Sequence, residues 1–187
     1  MLTRLLRFVP VLLGFVLLAG CATSSEPVRV AYDATSNQTT YRTGQMRLSD
    51  IEMTSGLQKQ NRFYVQVVGQ CSGQDCVPSK YFMRFIKQGT QSVTLGGRDV
   101  SLTIGTETIT WEDPQTREAS QTTTVRSGTF ARIDMSSGQL ATVGGVSNVS
   151  GSVGGADFSI PYDHRAPIRS LLSRLDQKSG GSSGANS

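Results

Sequence analysis

From Val28 onward, apolar and polar side chains alternate in short runs, and turn-forming residues separate the runs. A period of two puts every second side chain on one face of a strand. Val28–Tyr32 and Gln38–Thr43 therefore read as two strands joined by a turn over Asp33–Asn37, and Met46, Leu48 and Ile51 carry the alternation on until Ser55-Gly56 breaks it. The strongest pair is Arg62–Gln70 with Tyr81–Lys87. In the first, Phe63, Val65 and Val67 alternate with Tyr64, Gln66 and Val68; in the second, Tyr81, Met83 and Phe85 alternate with Phe82, Arg84 and Ile86. Large side chains on both faces mark both strands as central in a sheet.

Ser92–Leu95 and Arg98–Ile104 flank Gly96-Gly97, a dipeptide suited to the positive φ values of a tight hairpin, so they are expected to pair with each other. Thr108–Trp111 follows, with Ile109 and Trp111 alternating inward. Glu112–Gln115 has turn chemistry, and Gln121–Asp134 is expected as one long strand with a bulge at Ser127-Gly128, making the middle of the chain an antiparallel meander. After Asp134 the pattern changes. Ser136 or Ser137 caps a short helix through Val143 that Gly144-Gly145 ends, and Val146–Val153 with Asp157–Ile160 forms a last hairpin around Gly154-Gly155. Ile168, Leu171, Leu172 and Leu175 are spaced i, i+3, i+4, i+7, which confines them to about 100° of a helix surface, and Pro167 is tolerated in a first turn. The fold expected is mainly β (α+β): an antiparallel sandwich or curved sheet with this C-terminal amphipathic helix packed on it.

The start of the chain follows a different pattern. Arg4 and Arg7 precede an almost wholly apolar run, Phe8–Ala19, and the run ends in Leu18-Ala19-Gly20-Cys21. Positive charge, apolar core and small residues before a boundary form a secretory export pattern. Pro10 and Gly14 interrupt the run, which falls short of the roughly 20 apolar residues of a spanning helix. Leu18-Ala19-Gly20-Cys21 resembles the lipobox of bacterial lipoproteins. The resemblance covers residues 1–21. It implies cleavage between Gly20 and Cys21, a diacylglyceryl group on the Cys21 thiol and usually an acyl group on the new N-terminus. Two or three chains hold a protein stably at a membrane where one chain does not. Ala22 stands where an aspartate commonly retains such proteins in the inner membrane, so the resemblance implies the outer membrane, facing the periplasm, in a two-membrane bacterium.

The expected organisation is then a signal peptide over 1–20, a lipidated cysteine and tether over 21–27, one β-rich domain over 28–177 and a Gly/Ser-rich disordered tail over 178–187. Ala22–Pro27 reaches at most about 20 Å, which keeps the domain close to the membrane. Arg4 and Arg7 leave with the signal, so the mature chain carries 16 basic residues against 14 acidic ones, a side-chain charge of about +2. The basic residues are scattered and not interleaved with aromatics, so no nucleic-acid partner is expected. With Cys21 assigned to lipid, Cys71 and Cys76 remain, four residues between them; in an oxidising compartment so close a pair reads as a structural disulfide. Redox pairs are usually spaced more closely, and a metal site would want more His or Cys ligands.

Catalytic sets are scarce. His164 is the only histidine, Ser-x-x-Lys and His-Glu-x-x-His are absent, and there is no Gly-x-Ser-x-Gly elbow. Tyr162, Asp163, His164 and Arg165 form the densest polar cluster and the candidate ligand contact, an anion at a helix N-terminus, although Asp163 is equally read as the helix cap and His164 as a capping or packing residue. Glu112, Asp113 and Glu118 read as a solvated turn rather than a paired-carboxylate site. The glycines from Gly144 to Gly155 lack the strand-loop-helix setting of a phosphate loop. The expectation is a membrane-anchored envelope lipoprotein that is not an enzyme, needs no cofactor or metal, and acts as an interaction or assembly module, with membrane lipid and an envelope protein as the expected partners. The alternative is a periplasmic carrier of a hydrophobic or glycan ligand.

Overall fold

A computed structural model describes residues 27–48, 62–90, 92–111 and 122–181. The lipobox with Cys21, the acidic turn at Glu112, Asp113 and Glu118, and Ile51 lie outside the described residues. Among the described residues, twelve strands and two helices follow in the order β1 (Val28–Asp33), β2 (Gln38–Thr43), β3 (Met46–Arg47), β4 (Arg62–Ser72), β5 (Lys80–Gln88), β6 (Val93–Leu95), β7 (Val100–Ile104), β8 (Glu107–Trp111), β9 (Thr123–Val125), β10 (Gly128–Met135), α1 (Ser137–Gly145), β11 (Val149–Val153), β12 (Ala156–Ser159) and α2 (Ala166–Gly181). A 3-10 turn, Asp163–Arg165, leads into α2.

These strands pair antiparallel and, among the described residues, form three sheets. The largest runs β1-β2-β4-β5-β10, with β3 pairing the start of β4; a second runs β12-β11-β7-β8; β6 and β9 form a two-stranded third. The chain is thus mainly β with a C-terminal helix, and β4 and β5 are interior strands, as their two-sided patterning predicts. Phe63, Val65 and Val67 of β4 and Tyr81, Met83 and Phe85 of β5 are buried on the inner face. Leu102 and Ile104 of β7, Val149 and Val153 of β11, and Phe158 of β12 join the same core from the second sheet. Phe85 meets Phe158 across the layers with ring centroids 5.5 Å apart, and Phe63 meets Phe130 edge to face at 6.0 Å.

Helix α1 starts where its sequence provides a capping box. The Ser136 hydroxyl accepts from the Gln139 N–H while the Gln139 side chain accepts from the Ser136 N–H. Ile168, Leu171 and Leu175 of α2 are buried and Leu172 is half-buried, so the predicted stripe covers the core. A side chain at Gly144 would meet Ile168 and Leu172 at 3.3 Å, which shows how closely α1 and α2 approach.

Four expectations are corrected. Gly96-Gly97 does not close a hairpin: β6 pairs with β9, β7 pairs with β8 and β11, and the Gly96 N–H donates to the Gly154 carbonyl. A glycine pair permits a reversal, but pairing is decided by which strand buries its apolar face best. The long strand over Gln121–Asp134 is two strands in different sheets, β9 and β10, separated at Arg126-Ser127, with Gly128 at φ +102°; the irregularity lies between Thr129 and Ala131. The middle of the chain is accordingly no simple meander. Finally, Lys178 is not part of a disordered tail, because α2 runs to Gly181 and Lys178 is fastened by hydrogen bonds.

Candidate functional site

The four clustered residues after β12 divide between surface and interior. Arg165 is fully buried. Its guanidinium donates to the Val143 carbonyl, to the Ser147 carbonyl at 2.7 Å and to the Pro161 carbonyl at 3.5 Å. Arg169, one turn further on, donates to the Gly144 and Tyr162 carbonyls. Val143 and Gly144 belong to the last turn of α1, which has no basic residue of its own. A helix C-terminus leaves its last carbonyls without intrahelical partners and carries partial negative charge. The two arginines supply from α2 and its leading turn what α1 lacks. Burial and the neighbouring Arg169 pull the Arg165 pKa below its ordinary value.

Tyr162 is exposed, and the guanidinium carbons of Arg169 and Arg165 lie 4.0 and 5.4 Å from its ring centroid. Asp163 is exposed and makes no side-chain cap of the 3-10 turn, contrary to its reading as a cap. His164 is exposed, with Nδ1 3.1 Å from the Arg47 carbonyl; since a carbonyl only accepts, Nδ1 carries the hydrogen in that contact. The structure therefore brings Tyr162 and Arg165 together, sends His164 toward β3, and directs the arginine at backbone rather than at an open anion site. Among the described residues no three His, Cys, Asp or Glu side chains gather into a metal-binding group.

Cys71 and Cys76 lie at disulfide-bonding distance, with Cα atoms 5.9 Å apart. Their loop is also fastened from outside. Thr39 donates to the Gly73 and Gln74 carbonyls, and the Tyr41 hydroxyl donates to the Cys76 carbonyl at 2.8 Å. Lys178 reaches back from α2 to donate to the Tyr41 oxygen at 3.0 Å and to Asp75 at 3.4 Å; the Tyr41 bond raises the Lys178 pKa. The turn after β4 is thereby held to β2 and to the end of α2.

Sequence reasoning missed the edge of the large sheet. Strand β1 pairs with β2 alone among the described residues, and every residue of it after Val28 is exposed. Val30 and Tyr32 are 39% and 41% exposed, though their strand partners Tyr41 and Thr39 on β2 are buried. No local signal marks it, because Val30 and Tyr32 continue an apolar alternation that an interior strand would bury. Helix α2 contributes one further surface feature, an open depression of about 650 Å³ lined by Arg169, Ser170, Ser173, Arg174 and Gln177. No helix among the described residues is long and apolar enough to cross a membrane. Comparison of the chain with family models, with curated proteins and with solved structures found no match.

Proposed function

We propose that this protein is a bacterial envelope lipoprotein, anchored through acylated Cys21, that works without catalysis as an interaction or assembly module at the membrane. The observation that carries this reading is Leu18-Ala19-Gly20-Cys21 placed directly after the apolar run and its two leading arginines. The interaction role is supported by the edge of β1 that no strand covers among the described residues, in a strand that directly follows the Ala22–Pro27 tether. The outer membrane is the compartment this reading assigns in a two-membrane bacterium, on the strength of Ala22 after the cysteine. The carrier alternative would use the depression along α2; its polar lining fits a glycan better than a hydrophobic ligand, and both of its arginines already donate to backbone carbonyls.

Metabolic labelling with a palmitate analogue, followed by membrane fractionation, tests the anchor. The wild-type chain takes the label and sediments with membranes, and Cys21→Ser loses both, because acyl chains and not the tether hold the membrane. Unlabelled, soluble wild-type protein would overturn the reading. Crosslinking in intact cells tests the interaction role: recovery of a reproducible envelope protein supports it, and recovery of a bound glycan or lipid in its place favours the carrier.

A further inference from the structure

The uncovered edge of β1 is self-complementary. The Pro27 carbonyl accepts from the Gly44 N–H at 2.9 Å, and this bond fixes the alternation along the ladder. Opposed residues exchange hydrogen bonds at every second position, so Arg29, Ala31 and Asp33 turn their backbone groups toward β2, while Val28, Val30 and Tyr32 turn theirs outward. The Val28 carbonyl is taken by Arg174 at 3.3 Å. The outward groups of Val30 and Tyr32 have no partner among the described residues. Val28–Asp33 holds no proline, no lysine and no bulge, three of the usual guards against pairing with another chain, and its two charged residues, Arg29 and Asp33, are of opposite sign.

We propose that β1 pairs antiparallel with β1 of a second copy of this chain, about a two-fold axis through Ala31. In that register Val30 faces the partner's Tyr32 and each exchanges both backbone hydrogen bonds with it, using the outward groups left over by β2. The same pair sets a β-branched side chain against an aromatic one, a favourable cross-strand combination. Arg29 faces the partner's Asp33. Within one copy Arg29 stands opposite Arg42, a like-charge pair, and it has no ion-pair partner among the described residues. The Asp33 carboxylate is held in place by the Thr35 N–H and the Ser36 hydroxyl, each at 2.9 Å, with acceptor capacity left on both oxygens. Shifting the register by one residue would set Arg29 against the partner's Tyr32 or against a turn residue and lose the charge match. The pairing joins two large sheets into one continuous sheet, and it stands whether or not Cys21 carries lipid.

Cysteine crosslinking of the full-length chain tests the pairing. Residues opposed in a non-hydrogen-bonded antiparallel pair have Cα atoms about 4.5 Å apart, inside the disulfide range. Ala31→Cys is expected to give a disulfide-linked dimer on non-reducing electrophoresis after oxidation of detergent-extracted protein with copper phenanthroline. Thr40→Cys, opposite Ala31 on β2 and on the same face, serves as the control and lies two strand spacings further from its copy, about 10 Å more. The dimer is expected at position 31 and lost at position 40, because Cα atoms more than about 7 Å apart cannot be bridged without backbone movement. Arg29→Asp in the Ala31→Cys background should lower the yield, and adding Asp33→Arg should restore it, since the swap rebuilds the charge pair in reverse. No dimer at position 31, equal yields at 31 and 40, or crosslinking of Ala31→Cys to a different protein would each overturn the proposal. Retained circular dichroism in each variant confirms that the readout comes from folded protein.

Discussion

Single residues decide how closely the layers of this molecule approach. Gly151 lies in β11 between β7 and β12, and a Cβ there would stand 2.0 Å from the Ser101 carbonyl oxygen and 2.8 Å from the Phe158 ring. Neither atom is the loose end of a flexible side chain, so the strands must part to admit a methyl group. Gly151→Ala is expected to cost about 1–3 kcal/mol or more, as overpacking in a close-packed interior does, read as a lower midpoint in urea denaturation. A glycine inside a strand pattern is the sequence's own mark of such an approach. Lys87 makes the opposite point. It is fully buried, donates to the Arg126 and Gly89 carbonyls, and burial alone pulls its pKa down. A lysine at the end of a strand carries no sign in sequence that a later segment will close over it.

At the scale of elements, the β1–β2 hairpin shows how turn chemistry becomes pH dependence. Hydrogen bonds from Ser36 and Thr35 favour the ionised Asp33 carboxylate and lower its pKa below the ordinary 3.8. The unfolded chain then binds the proton more readily than the folded one. The contribution to stability is complete above the unfolded value and is lost as pH falls through the lower, folded value. Thermal melts of wild type and Asp33→Asn should differ at about pH 7 and converge toward about pH 2, because only the wild-type residue titrates; a constant difference would refute the role. Local devices of this kind were legible in the sequence. The turn over Asp33–Asn37 contains Asn37 at φ 47°, Gly154 and Gly155 both take positive φ between β11 and β12, and the Ser136 cap begins α1 where expected. What was illegible is non-local. Gly96-Gly97 signals a reversal without saying that β9 will become the partner of β6, and a Gly/Ser-rich composition after Lys178 hides the hydrogen bonds that extend α2. Arg165, singled out for ligand contact by its polar neighbours, is turned inward by the Val143 carbonyl, on a helix that begins 28 residues earlier in the chain, at Ser137.

Across the whole molecule, Arg165 joins the two helices that cover the large sheet. Arg165→Met keeps the volume but leaves the Val143 and Ser147 carbonyls without their donor, at a cost of about 3 kcal/mol. Arg165→Lys should recover only part of this, since an ammonium cannot serve diverging carbonyls as a planar fork does; equal chemical stability of the three proteins would remove the guanidinium from this structural role. The same helix that Arg165 leads into also ties the ends of the domain together: Arg174 holds the Val28 carbonyl across 146 residues of sequence and Lys178 holds Tyr41 across 137. Contacts so distant along the chain form slowly, because the loop between them must close before either contributes. Synthesis therefore delivers the first strand and its cover at opposite ends of the process. Until the last helix has emerged, the inner face of the opening hairpin has no lid, and the N-terminal half waits as an unfinished sheet. Under the export proposed above, that ordering would act as a timer: the chain would stay an unfolded substrate for translocation until α2 followed β1 across, and the docking of α2 would complete the fold.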